Sequence, residues 1–118
     1  MARILLADDD KGSLDLVRRA LQIEGHTVVT AEDGSEALAL VQPGGFDLLV
    51  TDVQMPGLDG IELARRASAQ FPGMRLVLMS AYPDGLDHAA SLAAKGARLV
   101  TKPFTIDKIR AEVRAALA

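Results

Sequence analysis

The 118-residue sequence predicts an open α/β fold: five short parallel strands alternating with five helices, the helices covering both faces of one doubly wound sheet. Three observations predict it. Short β-rich runs recur at roughly regular spacing, the segments between them carry apolar residues at helical period, and Gly or Pro marks most junctions.

The first strand is read over Arg3–Ala7, and Leu14, Val17 and Leu21 then share a helical face that Gly25 terminates. A second strand over His26–Thr30 leads into a helix closed by Pro43-Gly44-Gly45. The third strand, Phe46–Thr51, contains Leu48-Leu49-Val50, the continuous apolar run of a strand buried on both faces. Gly57-Leu58-Asp59-Gly60 reads as a turn into the third helix, which places Leu58, Ile61, Leu63 and Ala64 inward and stops at Pro72-Gly73. The fourth strand, Arg75–Ser80, again has an unbroken apolar centre. An alanine-rich fourth helix is expected over 84–95, loosely anchored because it carries Gly85, and Gly96 closes it. After a fifth strand, Arg98–Thr101, Thr105 is placed to cap a helix with Asp107 in its first turn and Ile106, Ile109, Val113 and Leu117 on one face.

Alternation of this kind implies right-handed crossovers and, for five strands, the flavodoxin-like order 2-1-3-4-5. The whole chain, 1–118, reads as one domain with no linker, repeat or effector segment. Apolar residues at 49% and charged residues at 25% are the balance of a globular protein, and the absence of cysteine excludes disulfides, thiolate chemistry and Cys-based zinc sites. The apolar run at the N-terminus is too short for a leader or a membrane span, so a cytoplasmic location is expected. A net charge of −3 without a basic stripe argues against nucleic acid as a direct partner.

In a sheet of this order, ligands sit beyond the carboxyl ends of the strands, at the switch between strands 1 and 3. Strand 1 is followed by Asp8-Asp9-Asp10, strand 3 by Asp52, strand 4 ends in Ser80, and strand 5 is followed by Lys102. Asp8, Asp9 and Asp52 gathered in one crevice would repel one another unless a cation intervened. Hard oxygen ligands of this kind suit Mg²⁺, with the Gln54 backbone carbonyl available to complete the shell. Carboxylates, a metal, the fixed charge of Lys102 and the hydroxyl of Ser80 are the parts that phosphoryl transfer uses, and a carboxylate nucleophile yields an acyl phosphate. Asp52, at the end of the central strand before the turning segment Val53–Gly57, is the expected acceptor. Asp9 is expected to ligate directly, Asp8 directly or through water, and Asp10 to serve the start of the first helix.

Taken singly, each residue has an ordinary explanation: Asp8–Asp10 as a cap cluster, Asp52 and Ser80 as turn residues, Lys102 as a solvated lysine. Their arrival at one edge of one sheet is what the single explanations do not cover. His26 and His88 have no partner at ligand spacing, Met74 and Met79 read as core filler, and Phe46, Phe71 and Phe104 as packing anchors.

These residues carry a resemblance. The acids after Ile4-Leu5-Leu6-Ala7, the stretch Asp47–Asp52 with Met55-Pro56-Gly57-Leu58-Asp59-Gly60, the pair Ser80-Ala81, and Lys102-Pro103-Phe104 together resemble the receiver domain of two-component response regulators. The resemblance implies that Asp52 takes a phosphoryl group from a histidine kinase or histidine phosphotransfer protein, that Asp8 and Asp9 form a Mg²⁺ pocket, and that Lys102 and Ser80 contact the phosphoryl group. It also implies a cis Lys102-Pro103 bond and a phosphoacceptor rather than a conventional enzyme. The aromatic residue many receivers carry three positions before the lysine is Leu99 here, which points instead to the loop after Ser80 and to displacement of the fourth helix. The implied output is a protein contact on the face of helix 4, strand 5 and helix 5.

More narrowly, Met1–Ala7, Arg18–Val29 and Val100–Thr105 are similar to the CpdR type of single-domain regulator, whose unphosphorylated form primes the ClpXP protease. A phosphorelay intermediate or phosphate sink is the alternative, and an aspartyl-phosphate hydrolase a remote one, because such enzymes carry a general acid two residues after the nucleophile, where Gln54 stands here.

Overall fold

The computed structural model describes residues 1–82, 89–93 and 95–118. Strands β1 (Arg3–Ala7), β2 (Thr27–Ala31), β3 (Leu48–Asp52), β4 (Arg75–Ser80) and β5 (Arg98–Thr101) form one parallel sheet in the order β2-β1-β3-β4-β5. Between and after them run α1 (Lys11–Ile23), α2 (Gly34–Val41), α3 (Gly60–Gln70), α4 (Ala90–Ala93) and α5 (Ile106–Leu117). This is the doubly wound, flavodoxin-like topology expected from the sequence. Of the fourth helix expected over 84–95, Ala90–Ala93 is helical and Lys95 lies in a turn, while Gly85 and His88 fall outside the described residues.

Side-chain alternation along the strands sorts the core into two layers. Ile4, Leu6, Leu48, Val50, Val77, Met79 and Val100 pack under α1 and α5. Leu5, Ala7, Leu49, Leu76 and Leu78 pack on the opposite face under α2, α3 and α4. Every residue of β3 is buried, so the continuous apolar run has both of its faces covered. Met74 and Met79 are buried in these layers, as is Phe46, with Phe71 and Phe104 packed at their margins.

Two strand starts shift from expectation, each for a hydrogen-bonding reason. The His26 N–H closes the end of α1 by donating to the Leu21 carbonyl at 3.2 Å, so β2 begins at Thr27, whose N–H donates to Ala2 O at 2.9 Å. Upstream of β3, the Asp47 carboxylate accepts the Arg3 N–H at 2.8 Å, and the ladder with β1 is entered at Leu48.

Helix starts are capped by side chains that accept otherwise unpaired N–H groups. Asp10 accepts from Gly12 and Ser13, Asp33 from Glu36, Asp59 from Glu62 and Thr105 from Lys108. Glycine is required where α3 starts: a Cβ on Gly60 would lie 2.0 Å from the carbonyl oxygen of Asp52. That close approach seats α3 directly against the end of β3.

Candidate phosphoacceptor site

The strand register levels the carboxyl edge of the sheet. Ala7 pairs with Thr51, Asp52 with Met79, and Ser80 with Thr101, so Asp8, Asp52, Ser80 and Lys102 emerge side by side. The backbone fixes these positions further: Asp8 N–H donates to Ala31 O at 3.1 Å, Val53 N–H to Met79 O at 2.8 Å, and Lys102 N–H to Ser80 O at 2.8 Å. The Lys102-Pro103 peptide is cis.

Asp8, Asp9 and Asp52 each offer a carboxylate oxygen, and these oxygens lie within 4.8 Å of one another. Their environments differ. Asp8 is fully buried, accepts the Asp10 N–H at 3.0 Å through Oδ1 and the Lys102 ammonium at 3.2 Å through Oδ2. Asp52 is 7% exposed, and its Oδ2 lies 3.4 Å from the same ammonium. Asp9 is exposed and opens the cluster to solvent. Asp10 is turned away as the cap of α1. The acid expected to ligate most directly is thus the most exposed, and Asp8 is the most deeply embedded, with one oxygen already on Lys102.

Burial pushes the Asp52 carboxyl above its ordinary range; Lys102 opposes this, and the neighbouring carboxylates of Asp8 and Asp9 reinforce it. For Lys102 burial acts to lower the pKa, but the carboxylates of Asp52 and Asp8 outweigh it and the ammonium is held more tightly than usual. Three carboxylates around one ammonium leave two negative charges uncompensated, which a divalent cation would match. Oxygen donors at this spacing, with one side open to water, fit Mg²⁺, which retains part of its hydration shell.

Ser80 is fully buried, and its Oγ donates toward Gln54 Oε1 at 2.8 Å and Tyr82 O at 3.0 Å while accepting the Tyr82 N–H at 3.1 Å. Sequence reasoning considered only the backbone carbonyl of Gln54 as a ligand and missed its side chain as the partner of Ser80. The available signal was register: a polar residue just beyond β3 faces the end of adjacent β4. Leu99 is half-buried and packs with the layer under α2 and α3, in the place of the aromatic residue many receivers carry. His26 is occupied in accepting the Ala2 N–H at 3.1 Å.

An acidic pocket at the topological switch point of a doubly wound sheet, with a lysine bridging two of its carboxylates, defines a class of phosphoryl-handling α/β domain. Residues 4–114 match the family model described as response regulator receiver domain. The chain is 38% identical over 113 residues to the transcriptional regulatory protein TcrA of Mycobacterium tuberculosis, covering 96% of this chain and 45% of that protein. It is 36% identical over 115 residues to the response regulator MprA of Mycobacterium ulcerans, covering 98% and 50%. This chain therefore spans about half the length of the curated relatives it matches. Among solved structures, the response regulator TrrA of Thermotoga maritima in complex with Mg²⁺-BeF superposes with a TM-score of 0.88 at 34% identity, covering 99% of this chain and 100% of that one. A receiver-domain protein of Clostridium thermocellum gives a TM-score of 0.89 at 28% identity, covering 99% and 94%.

The chain belongs to the receiver-domain family of two-component response regulators. Members of this family are phosphoacceptors that receive a phosphoryl group on an aspartate, bind Mg²⁺ at an acidic pocket, and interact with histidine kinases. Among the described residues, no helix is long and apolar enough to cross a membrane.

Proposed function

We propose that this receiver accepts a phosphoryl group on Asp52 from a phosphohistidine donor and uses the modification to switch a protein–protein contact. The carrying observation is the buried Asp52 carboxylate sharing the Lys102 ammonium with Asp8, at 3.4 and 3.2 Å, beside the exposed Asp9. In the transfer, an Asp52 oxygen attacks phosphorus, the O–P bond of an acyl phosphate forms, and the N–P bond breaks with its electron pair returning to the imidazole. Lys102 already points at Asp52 and would follow the charge onto the phosphoryl oxygens; the Ser80 hydroxyl would donate to one of them. A Mg²⁺ held by Asp8, Asp9, Asp52 and the Gln54 carbonyl would supply further positive charge to the phosphoryl group.

Phosphorylation replaces the single charge of the Asp52 carboxylate with a phosphoryl group carrying up to two, a net gain of about one negative charge. Lys102 at the end of β5 faces it, so the output surface of this reading is α4, β5 and α5. The finer reading, a single-domain regulator of the CpdR type that adapts ClpXP, rests on the resemblance in Met1–Ala7, Arg18–Val29 and Val100–Thr105. Incubation with Mg²⁺ and acetyl phosphate, read by intact mass, should give a phosphate adduct that Asp52→Ala abolishes. An adduct that persists in Asp52→Ala would overturn the assignment. Pull-downs with wild type and Asp52→Ala then separate the outputs: recovery of ClpXP only from one phosphorylation state supports the adaptor, and recovery of a phosphotransfer protein alone supports a relay.

A further inference from the structure

We propose that Gln54 is a positioning residue whose side-chain amide latches the Ser80 hydroxyl in the resting state, so that phosphorylation must compete with Gln54 for Ser80. The inference rests on Asp52 being the phosphoacceptor and deepens that reading.

A serine hydroxyl has one proton to give and two lone pairs with which to accept. In the resting protein that proton is committed to Gln54 Oε1 at 2.8 Å or to Tyr82 O at 3.0 Å, and one lone pair is taken by the Tyr82 N–H at 3.1 Å. Among the described residues no side-chain hydrogen bond joins Ser80 to Asp52. Ser80 is fully buried, so water does not replace a partner that is withdrawn. Donating to a phosphoryl oxygen on Asp52 therefore requires withdrawing that proton from Gln54 Oε1, the nearer acceptor, or from Tyr82 O, and moving the hydroxyl loosens the bond it accepts from the Tyr82 N–H.

The hydroxyl is thus a two-position element that sets the loop at the end of β4 as well as the site. It ties Gln54, just beyond the phosphoacceptor, to the backbone of Tyr82, a residue that is 62% exposed. Rotation of Ser80 releases that backbone and moves the ring. This gives a route from the site to the surface that needs no aromatic residue at position 99, where the half-buried Leu99 packs against the core.

The chain contains one tyrosine and no tryptophan, so its intrinsic emission reports on Tyr82 alone. Gln54→Met keeps approximate side-chain size and the backbone carbonyl but removes the amide acceptor; Gln54→Ala serves as a second variant. In Mg²⁺ alone, Tyr82 emission of either variant should shift toward that of wild type loaded with beryllofluoride. Titration with beryllofluoride in Mg²⁺ should saturate at a concentration about two- to tenfold lower than for wild type, the effect of removing one net hydrogen bond from the competing state. In a Ser80→Ala background the same Gln54 substitutions should change nothing, because the latch is already gone. Unchanged titration in the Gln54 variants, or a change that persists in Ser80→Ala, overturns the latch while leaving Asp52 as acceptor. Failure of wild type to bind beryllofluoride at all overturns the phosphoacceptor reading and the latch with it.

Discussion

Neutralising Asp52 should stabilise the protein, because the resting site holds its charge against the balance of local forces. Lys102 Nζ, 3.4 Å from Asp52 Oδ2, attracts it by roughly 5 kcal/mol at an effective dielectric of about 20. Asp8, with an oxygen within 4.8 Å of Asp52, repels it by roughly 3.5 kcal/mol on the same scale. Asp9 adds a smaller repulsion, since it is exposed and screened by solvent. These Coulombic contributions nearly cancel, and the burial of the Asp52 side chain, 10% exposed, decides the sign. Asp52→Asn keeps the shape and removes the charge, so in EDTA near neutral pH we expect a gain of about 2 kcal/mol, or roughly 6–10 °C in melting temperature for a chain of this size.

The pH dependence follows from the direction of the shift. A carboxyl whose pKa is higher folded than unfolded binds its proton more tightly in the native state, so wild-type stability falls as pH rises through that window. The advantage of Asp52→Asn should accordingly shrink as pH falls through the raised Asp52 pKa and vanish below the ordinary value of 3.8. Mg²⁺ should narrow the gap from the other side, by binding the native wild type better than a variant that lacks one ligand. Calorimetric melts in EDTA and in Mg²⁺ across pH provide the assay. An Asp52→Asn variant that melts at or below wild type in EDTA near neutral pH would refute the reasoning.

Two further substitutions probe the same edge of the sheet. Lys102→Met strips the fully buried Asp8 carboxylate of its ammonium and should cost about 3 kcal/mol by denaturant unfolding without divalent cations, part of which added Mg²⁺ restores. Gly60→Ala forces a methyl to within 2.0 Å of the Asp52 carbonyl and should destabilise by about 3 kcal/mol or more, whereas Gly12→Ala, whose nearest contact is an ordinary 3.5 Å to its own helix cap, should be neutral or stabilising by up to about 1 kcal/mol in the same assay.

Element type was legible because it is written in local patterns. The apolar runs of β3 and β4 have no polar face to turn to water, and Thr105 with Asp107 marks the start of α5 by short-range hydrogen bonding alone. Boundaries were less legible where one residue could serve two elements, as His26 does in finishing α1 immediately before β2 begins.

By itself the sequence determined the alternation of strands and helices, and through the connection rules of parallel sheets it determined which edge would receive Asp8, Asp9, Asp52, Ser80 and Lys102. Those consequences need only periodicity and chain order. Only the tertiary structure decided that Asp8 rather than Asp9 is the buried member of the pair, that one ammonium is shared between Asp8 and Asp52, and that the Ser80 hydroxyl is held by Gln54. Each of these depends on distances of a few ångströms between residues 26 to 94 positions apart. Such distances are set by strand register and by what packs above each strand end, and no local pattern in the chain encodes them.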